Sequence, residues 1–109
     1  MIVVNGRVRI PAERSQEFGA IAMQMCEASR ADDGCIGYRV YKELERPDHY
    51  VFIEEWRDEP ALLAHFGQPH TARFMGALLP MLAEPADALF HTVETTRRLE
   101  PGVGLVPAG

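Results

Sequence analysis

Cysteine is scarce in this chain of 109 residues, which contains only Cys26 and Cys35. The two form neither a CxxC pair nor the ligand spacing of a metal finger, so no disulfide framework is expected. Long apolar runs are also missing. The N-terminal segment lacks the core of a signal peptide, and no run approaches the roughly 20 residues of a membrane-spanning helix. These absences predict a cytoplasmic protein with no part in a membrane.

Positive charge is the second scarcity, because 11 lysines and arginines face 16 acidic residues and leave a formal net charge of −5. Nucleic-acid binding needs a basic surface, so the balance argues against it. The chain also has no glycine-rich phosphate loop and no dinucleotide fingerprint, so a bound flavin or nicotinamide is not expected. Its 47% apolar and 25% charged residues are ordinary for one globular domain.

What the sequence does contain is an ordered series of strand and helix patterns. Alternating, β-branched segments predict strands over residues 2–10, 35–44, 49–57 and 88–98. Helical periodicity predicts one helix over residues 13–30 and a second helical region after Asp58, interrupted at Gly67-Gln68-Pro69 and ended early by Pro80. The order βαββαβ indicates an α+β, ferredoxin-like domain with a four-stranded antiparallel sheet over residues 1–98. Residues 99–109, rich in Gly and Pro, are interpreted as a mobile end or an arm lying on a partner.

The third predicted strand is apolar on both faces, with Val51 and Ile53 on one side and Phe52 and Trp56 on the other. Two helices can cover only one face of a four-stranded sheet, so the second face needs another cover. A second copy of the chain is the simplest source, which predicts a homodimer. The functional site is then expected between the other face and the helices.

Four residues stand out as candidates for chemistry. Asn5 is a polar residue in a β-branched run, where it either binds a substrate oxygen or is satisfied by backbone or water. Trp56 supplies either a flat wall for a ligand or a core side chain. His65 and His70 are candidates for proton acceptors or for capping and packing roles. Five residues apart with Pro69 between them, the two histidines do not share a helix face, which disfavours a metal site.

Two sequence strings together resemble a known family. The first carries Ser29-Arg30, Gly34-Cys35 and Tyr38, and the second carries Glu54-x-Trp56 followed by His65, Pro69-His70 and an aromatic residue, Phe74. The pattern resembles that of the antibiotic biosynthesis monooxygenase domains, over residues from about 2 to 96. The resemblance implies a small ferredoxin-like protein that pairs into a dimeric α/β barrel.

The resemblance also implies a function: a monooxygenase without a cofactor that oxidises an aromatic phenol or quinol to a quinone with O₂. We expect Asn5, Trp56, His65 and His70 to be catalytic, and we expect the substrate to be bound by Arg30, Tyr38, Phe52 and Phe74. The alternatives are a non-catalytic ligand-binding or stress-response dimer, an isomerase, and a haem-degrading relative, which would make haem the cofactor. Glu27, Glu54 and Glu55 are interpreted as solvated or salt-bridged side chains.

Overall fold

The computed structural model describes all 109 residues and contains six strands and three α-helices. The strands are β1 (Ile2–Arg9), β2 (Cys35–Lys42), β3 (His49–Trp56), β4 (Asp87–Thr92), β5 (Arg97–Glu100) and β6 (Gly104–Pro107). The helices are α1 (Ser15–Arg30), α2 (Glu59–Phe66) and α3 (Pro69–Leu78), with 3₁₀ turns at Ala12–Arg14 and Leu79–Met81. None of these helices has both the length and the apolarity that crossing a bilayer would require.

The main sheet has the strand order β2-β3-β1-β4, and every neighbouring pair is antiparallel. This is the ferredoxin-like arrangement, so the predicted α+β fold class is confirmed. Alternation along β1 turns Ile2, Val4 and Val8 into the core, while Val3 and Asn5 take the opposite face. The helices cover only the first of these faces, and the core lies between them and the sheet.

Helix boundaries follow the predicted capping signals. Asp58 caps α2, and one of its carboxylate oxygens accepts a hydrogen bond from the Ala61 amide at 2.9 Å. Pro69 occupies the first turn of α3, where its missing N–H costs nothing. The helix ends at Leu78, because Pro80 cannot continue the hydrogen-bond ladder and a 3₁₀ turn follows.

Simple alternation along β2 would put Ile36 on the same face as Tyr38, and this expectation is wrong at the start of the strand. Cys35 pairs with Trp56 and Gly37 pairs with Glu55, so Ile36 is the extra residue of a β-bulge. A bulge reverses the parity of the residues before it, and Ile36 is therefore 59% exposed while Cys35 packs against the core. Tyr38 lies beyond the bulge and is buried toward the helices.

The predicted strand over residues 88–98 is interrupted. Its first part, β4, pairs with β1 only as far as Thr92 opposite Ile2, because β1 has no residues left to continue the ladder. The chain then turns, and β5 pairs with β6 as a separate two-stranded hairpin. Gly102 and Gly104 occupy positive φ in this hairpin, at 81° and 118°. The segment beyond residue 98 is thus an ordered ribbon with exposed strands.

Gly34, in the turn between α1 and β2, is expected to be intolerant of a side chain. Its φ is +80°, and a Cβ placed there would lie 2.5 Å from the Cβ of Ala61. We expect Gly34→Ala to lower the free energy of unfolding by about 2 kcal/mol or more, measured by urea denaturation. Gly19→Ala in α1 is the control, since a Cβ there meets nothing within 4 Å. It should raise stability by about 0.5–1 kcal/mol, and equal effects at both positions would contradict the crowding expected at Gly34.

Candidate functional site

Five of the predicted site residues form one cluster between the sheet and the helices. The imidazole of His65 lies 4.5 Å from the Trp56 ring and 5.6 Å from the Tyr38 ring, measured between centroids. Phe52 contacts Tyr38 at 6.1 Å and Phe74 at 5.6 Å, in both cases edge to face. We call these side chains the aromatic cluster: Tyr38, Phe52, Trp56, His65 and Phe74. All five are buried.

Asn5 lies on the other face of the sheet. It pairs with Ile53 of β3 and Leu89 of β4, and its side-chain oxygen accepts a hydrogen bond from Arg7 at 3.3 Å. It lines an open cavity of about 570 Å³ on the face without helices. The expectation that Asn5 shares a site with Trp56 and the histidines is therefore wrong, because strand alternation directs odd-numbered residues of β1 away from the helices.

Arg30 is also separate from the aromatic rings. It lies in the last turn of α1, and its guanidinium donates a hydrogen bond of 3.0 Å to the backbone carbonyl of Tyr38. This contact ties the end of α1 to β2. Together with Arg39, it lines a groove of about 490 Å³ between these two elements.

Asp32 joins the two predicted histidines. Its Oδ2 atom lies 2.8 Å from Nδ1 of His65 and 2.9 Å from Nε2 of His70. A carboxylate oxygen accepts hydrogen bonds, so each of the two imidazole nitrogens donates its N–H to Asp32. The histidines belong to α2 and α3, and Asp32 belongs to the turn after α1. We call these three residues the Asp32–histidine cluster.

His65 is the more enclosed of the two histidines. Burial lowers the pKa of its imidazole, and the neighbouring Asp32 carboxylate opposes that shift. Thr71 fixes the corner between the two helices, because its hydroxyl donates a 2.7 Å hydrogen bond to the backbone carbonyl of His65. His65 is therefore held in a defined orientation against Trp56. No spacing rule points to Asp32, which lies more than 30 residues away in the chain.

Glu54 is a functional candidate that the sequence interpretation missed, because a glutamate in a strand is usually solvated or salt-bridged. It shares the helix-facing side of β3 with Phe52 and Trp56 and pairs with Tyr38 across the strands. Its Oε1 accepts a 2.9 Å hydrogen bond from the Trp56 indole. Burial raises the pKa of the Glu54 carboxyl, against the opposing effect of that hydrogen bond. Parity with Phe52 and Trp56 was the signal that could have found it.

The space between sheet and helices, where the functional site is expected, is filled by side chains. Phe18 contacts Phe52 at 6.1 Å, and Met25, Phe74 and Met81 are buried beside them. Smaller cavities flank the Asp32–histidine cluster instead. One of about 150 Å³ lies between α1 and α3 beside His70 and Phe74, and another of about 210 Å³ lies beside Asp32 and His65.

Glu54→Gln is expected to change the pH dependence of stability. A raised pKa means that the folded chain disfavours the charged carboxyl, so this group costs stability as pH rises from the ordinary glutamate range through the raised value. Glutamine carries no such cost. The variant should therefore gain stability relative to wild type as pH rises from 4 to 7, measured by urea unfolding.

The control for loss of one negative charge is Glu55→Gln, on the opposite face of β3. It should not reproduce the pH pattern of Glu54→Gln. A wild-type advantage over Glu54→Gln that grows with pH would contradict the assignment of Glu54 as a carboxyl penalised by burial.

Comparison with known proteins gives one family. The model of the family described as antibiotic biosynthesis monooxygenase matches residues 1–77. A Synechocystis protein described as uncharacterized is 32% identical over 98 residues, covering 90% of this chain and 67% of its own length. YcnE of Bacillus subtilis, which carries a provisional monooxygenase name, is 27% identical and covers 82% of this chain and 94% of its own.

Solved structures agree with the fold. A conserved protein of Methanosarcina mazei superposes with a TM-score of 0.80 at 30% identity, covering 83% of this chain and 89% of that chain. A Deinococcus radiodurans protein, provisionally described as an antibiotic biosynthesis monooxygenase, gives a TM-score of 0.86 over 92% of this chain and 99% of that chain. At 21% identity, the second likeness supports the architecture alone.

Proposed function

The chain belongs to the antibiotic biosynthesis monooxygenase family, and from this premise we propose that it oxidises an aromatic phenol or quinol to a quinone with O₂ and without a cofactor. Family membership supports the reaction class. The particular substrate class is proposed from the side chains of the site, which combine buried aromatic rings with one carboxyl of raised pKa.

The observation that carries the proposal is the position of Glu54. Glu54 as a residue keeps some solvent exposure, and it lies among Tyr38, Phe52 and Trp56. A carboxylate with a raised pKa is a stronger base than an ordinary glutamate, and its proton affinity lies closer to that of its substrate. Glu54 is therefore proposed to take the phenolic proton.

Removal of that proton makes the ring electron-rich. The phenolate then gives one electron to O₂, and the resulting phenoxyl radical and superoxide combine at a ring carbon. Loss of water from this peroxide leaves the quinone. For 1-naphthol the balance is one naphthol and one O₂ to one naphthoquinone and one water, so the aromatic substrate supplies all the electrons. Glu54 returns the proton when water leaves.

The other site residues take supporting roles in this proposal. Trp56 and Tyr38 are buried, so they contribute the apolar surroundings of the Glu54 carboxyl rather than an open surface for the substrate. The Trp56 indole also orients the Glu54 carboxyl through its 2.9 Å hydrogen bond. His65 backs the Trp56 ring, and His70 holds its position through Asp32. Asn5 and Arg30 have no part in the proton transfer, since Asn5 lies on the outer face and Arg30 binds backbone.

A second candidate is a non-catalytic ligand-binding dimer. The observation that favours it is the filled space between sheet and helices, where Phe74 and Met81 are buried in the core. Such a protein would bind ligands in the outer cavities and would leave Glu54 without a chemical role. The two candidates therefore differ in what the Glu54 carboxyl does.

Glu54→Gln is expected to lower kcat/KM for 1-naphthol by about a hundredfold or more, because it removes the proton acceptor while keeping the shape of the side chain. The measurement is oxygen uptake together with naphthoquinone formation by chelator-treated protein. In the wild type the rate should rise with pH as Glu54 ionises, above the pH range of an ordinary glutamate.

Glu55→Gln is the matched control, because it removes a neighbouring carboxylate on the opposite face and should keep the rate. Oxidation of 1-naphthol by wild type that does not exceed the uncatalysed rate would overturn the proposed reaction. Equal activity of the Glu54→Gln variant and wild type would overturn the role of Glu54.

We also propose that the chain is a homodimer that pairs through the open face of the sheet into an α/β barrel. That face carries Val3, Val51 and Ile53, which are only half-buried in the single chain, and the exposed Tyr41 and Leu89. Apolar side chains on a sheet face without helices are stabilised by a second layer. The dimer would also enclose the cavity beside Asn5.

Light scattering on the eluted protein at micromolar concentration should give about twice the chain mass of 12.2 kDa. Ile53→Glu should shift the mass to that of one chain, because it places a charge on the outer face of a central strand. Met23→Glu, on the exposed side of α1, is the control and should keep the dimer. A monomeric wild type would exclude the barrel.

A further inference from the structure

We propose that the Asp32–histidine cluster binds one divalent transition-metal ion of the Zn²⁺ type. Three potential ligand atoms, from Asp32, His65 and His70, lie within 4.8 Å of one another. They come from three different elements that meet at one end of the domain: the turn after α1, the last turn of α2 and the first turn of α3. This site takes no part in the proton transfer assigned to Glu54.

Two of the three separations between these atoms are close to those of a coordination sphere. Oδ2 of Asp32 lies 2.8 Å from Nδ1 of His65 and 2.9 Å from Nε2 of His70. With bonds of about 2.1 Å, ligands at angles between 90° and 109° are separated by roughly 3.0 to 3.4 Å. The third pair, the two imidazole nitrogens, is the widest, within 4.8 Å, so an ion requires the two rings to turn toward each other as well as the carboxylate to move outward by a few tenths of an ångström. The ion takes the place of the two hydrogen-bond protons.

The donor set selects the class of ion. Two imidazole nitrogens and one carboxylate oxygen suit zinc and its neighbours, whereas calcium and magnesium prefer oxygen ligands alone. An imidazole binds a metal in its neutral form, and each ring can carry its single proton on the nitrogen that does not bind. In this donor set Asp32 supplies the one negative charge.

Neighbouring groups shield the three ligands from solvent and hold His65 in position. His65 is 3% exposed, Asp32 10% and His70 18%, so the ion would be largely shielded but reachable from the side of His70. The Thr71 hydroxyl holds the backbone of His65, and the Trp56 ring packs against its imidazole. Such contacts beyond the ligands fix ring orientation in metal sites. Three protein ligands leave one position open, beside the 210 Å³ cavity that Asp32 and His65 line.

The test is isothermal titration of the chelator-treated full chain, without an affinity tag, with zinc chloride. We expect saturable binding of one ion per chain. Asp32→Asn and His70→Gln should lose this binding, since each removes one of the three ligands. Substitution with Co²⁺ gives a second readout, because its visible absorption bands report the ligand set and should be absent from both variants.

Two controls separate ligation from general effects of charge or histidine content. Asp33→Asn removes the adjacent aspartate, whose side chain is 94% exposed, and His91→Gln removes an exposed histidine of β4. Both should bind zinc as wild type does. Circular dichroism checks whether Asp32→Asn is folded. If Asp32→Asn unfolds, His70→Gln, at a less buried position, still tests the site. Absence of saturable binding, or binding retained in both ligand variants, would overturn the site.

Discussion

The two hydrogen bonds to the Asp32 carboxylate are the interaction on which the site end of the domain depends. A single oxygen atom accepts from imidazoles on two different helices. It thereby joins the turn after α1 to both helices of the second helical region. Hydrogen bonds to a charged acceptor are stronger than those between neutral groups, and their value rises where water is excluded.

The same contacts set the position of the Trp56 ring and, through its indole, the Glu54 carboxyl. His65 lies against Trp56 at 4.5 Å, and Trp56 donates to Glu54 at 2.9 Å. A chain of direct contacts therefore runs from Asp32, through one imidazole and one indole, to a carboxyl of raised pKa. The Asp32–histidine cluster and the aromatic cluster share His65.

Much of this arrangement is predictable from the sequence, because it depends on local periodicity. Alternation places Phe52 and Trp56 on the inner face of β3 and Val51 and Ile53 on the outer face. Helical spacing and the cap at Asp58 predict where α2 and α3 lie in the chain. The same parity rule assigns Glu54 to the inner face. A charged side chain is ordinarily expected in solvent, however, and for that reason Glu54 is not interpreted as a site residue from the sequence.

Other features depend on contacts that no local pattern encodes. Asp32 and His65 are far apart in the chain and meet only because α1 and α2 end at the same side of the sheet. The bulge at Ile36 arises from the register between β2 and β3, and the sequence of β2 alone does not show it. The family resemblance places Asn5 with Trp56 among the expected catalytic residues, although the alternation of β1 directs Asn5 to the other face. Tertiary pairing decides each of these cases.

The separate hairpin of β5 and β6 gives the chain two parts of unequal local stability. A two-stranded ribbon without a third strand is marginal in water, whereas β1 and β3 are paired on both sides within the main sheet. Amide protons of the ribbon are thus expected to exchange with solvent through local opening, and those of the central strands only through global unfolding. Slow exchange in the ribbon would report directly on whatever covers it, while the central strands report on the fold itself.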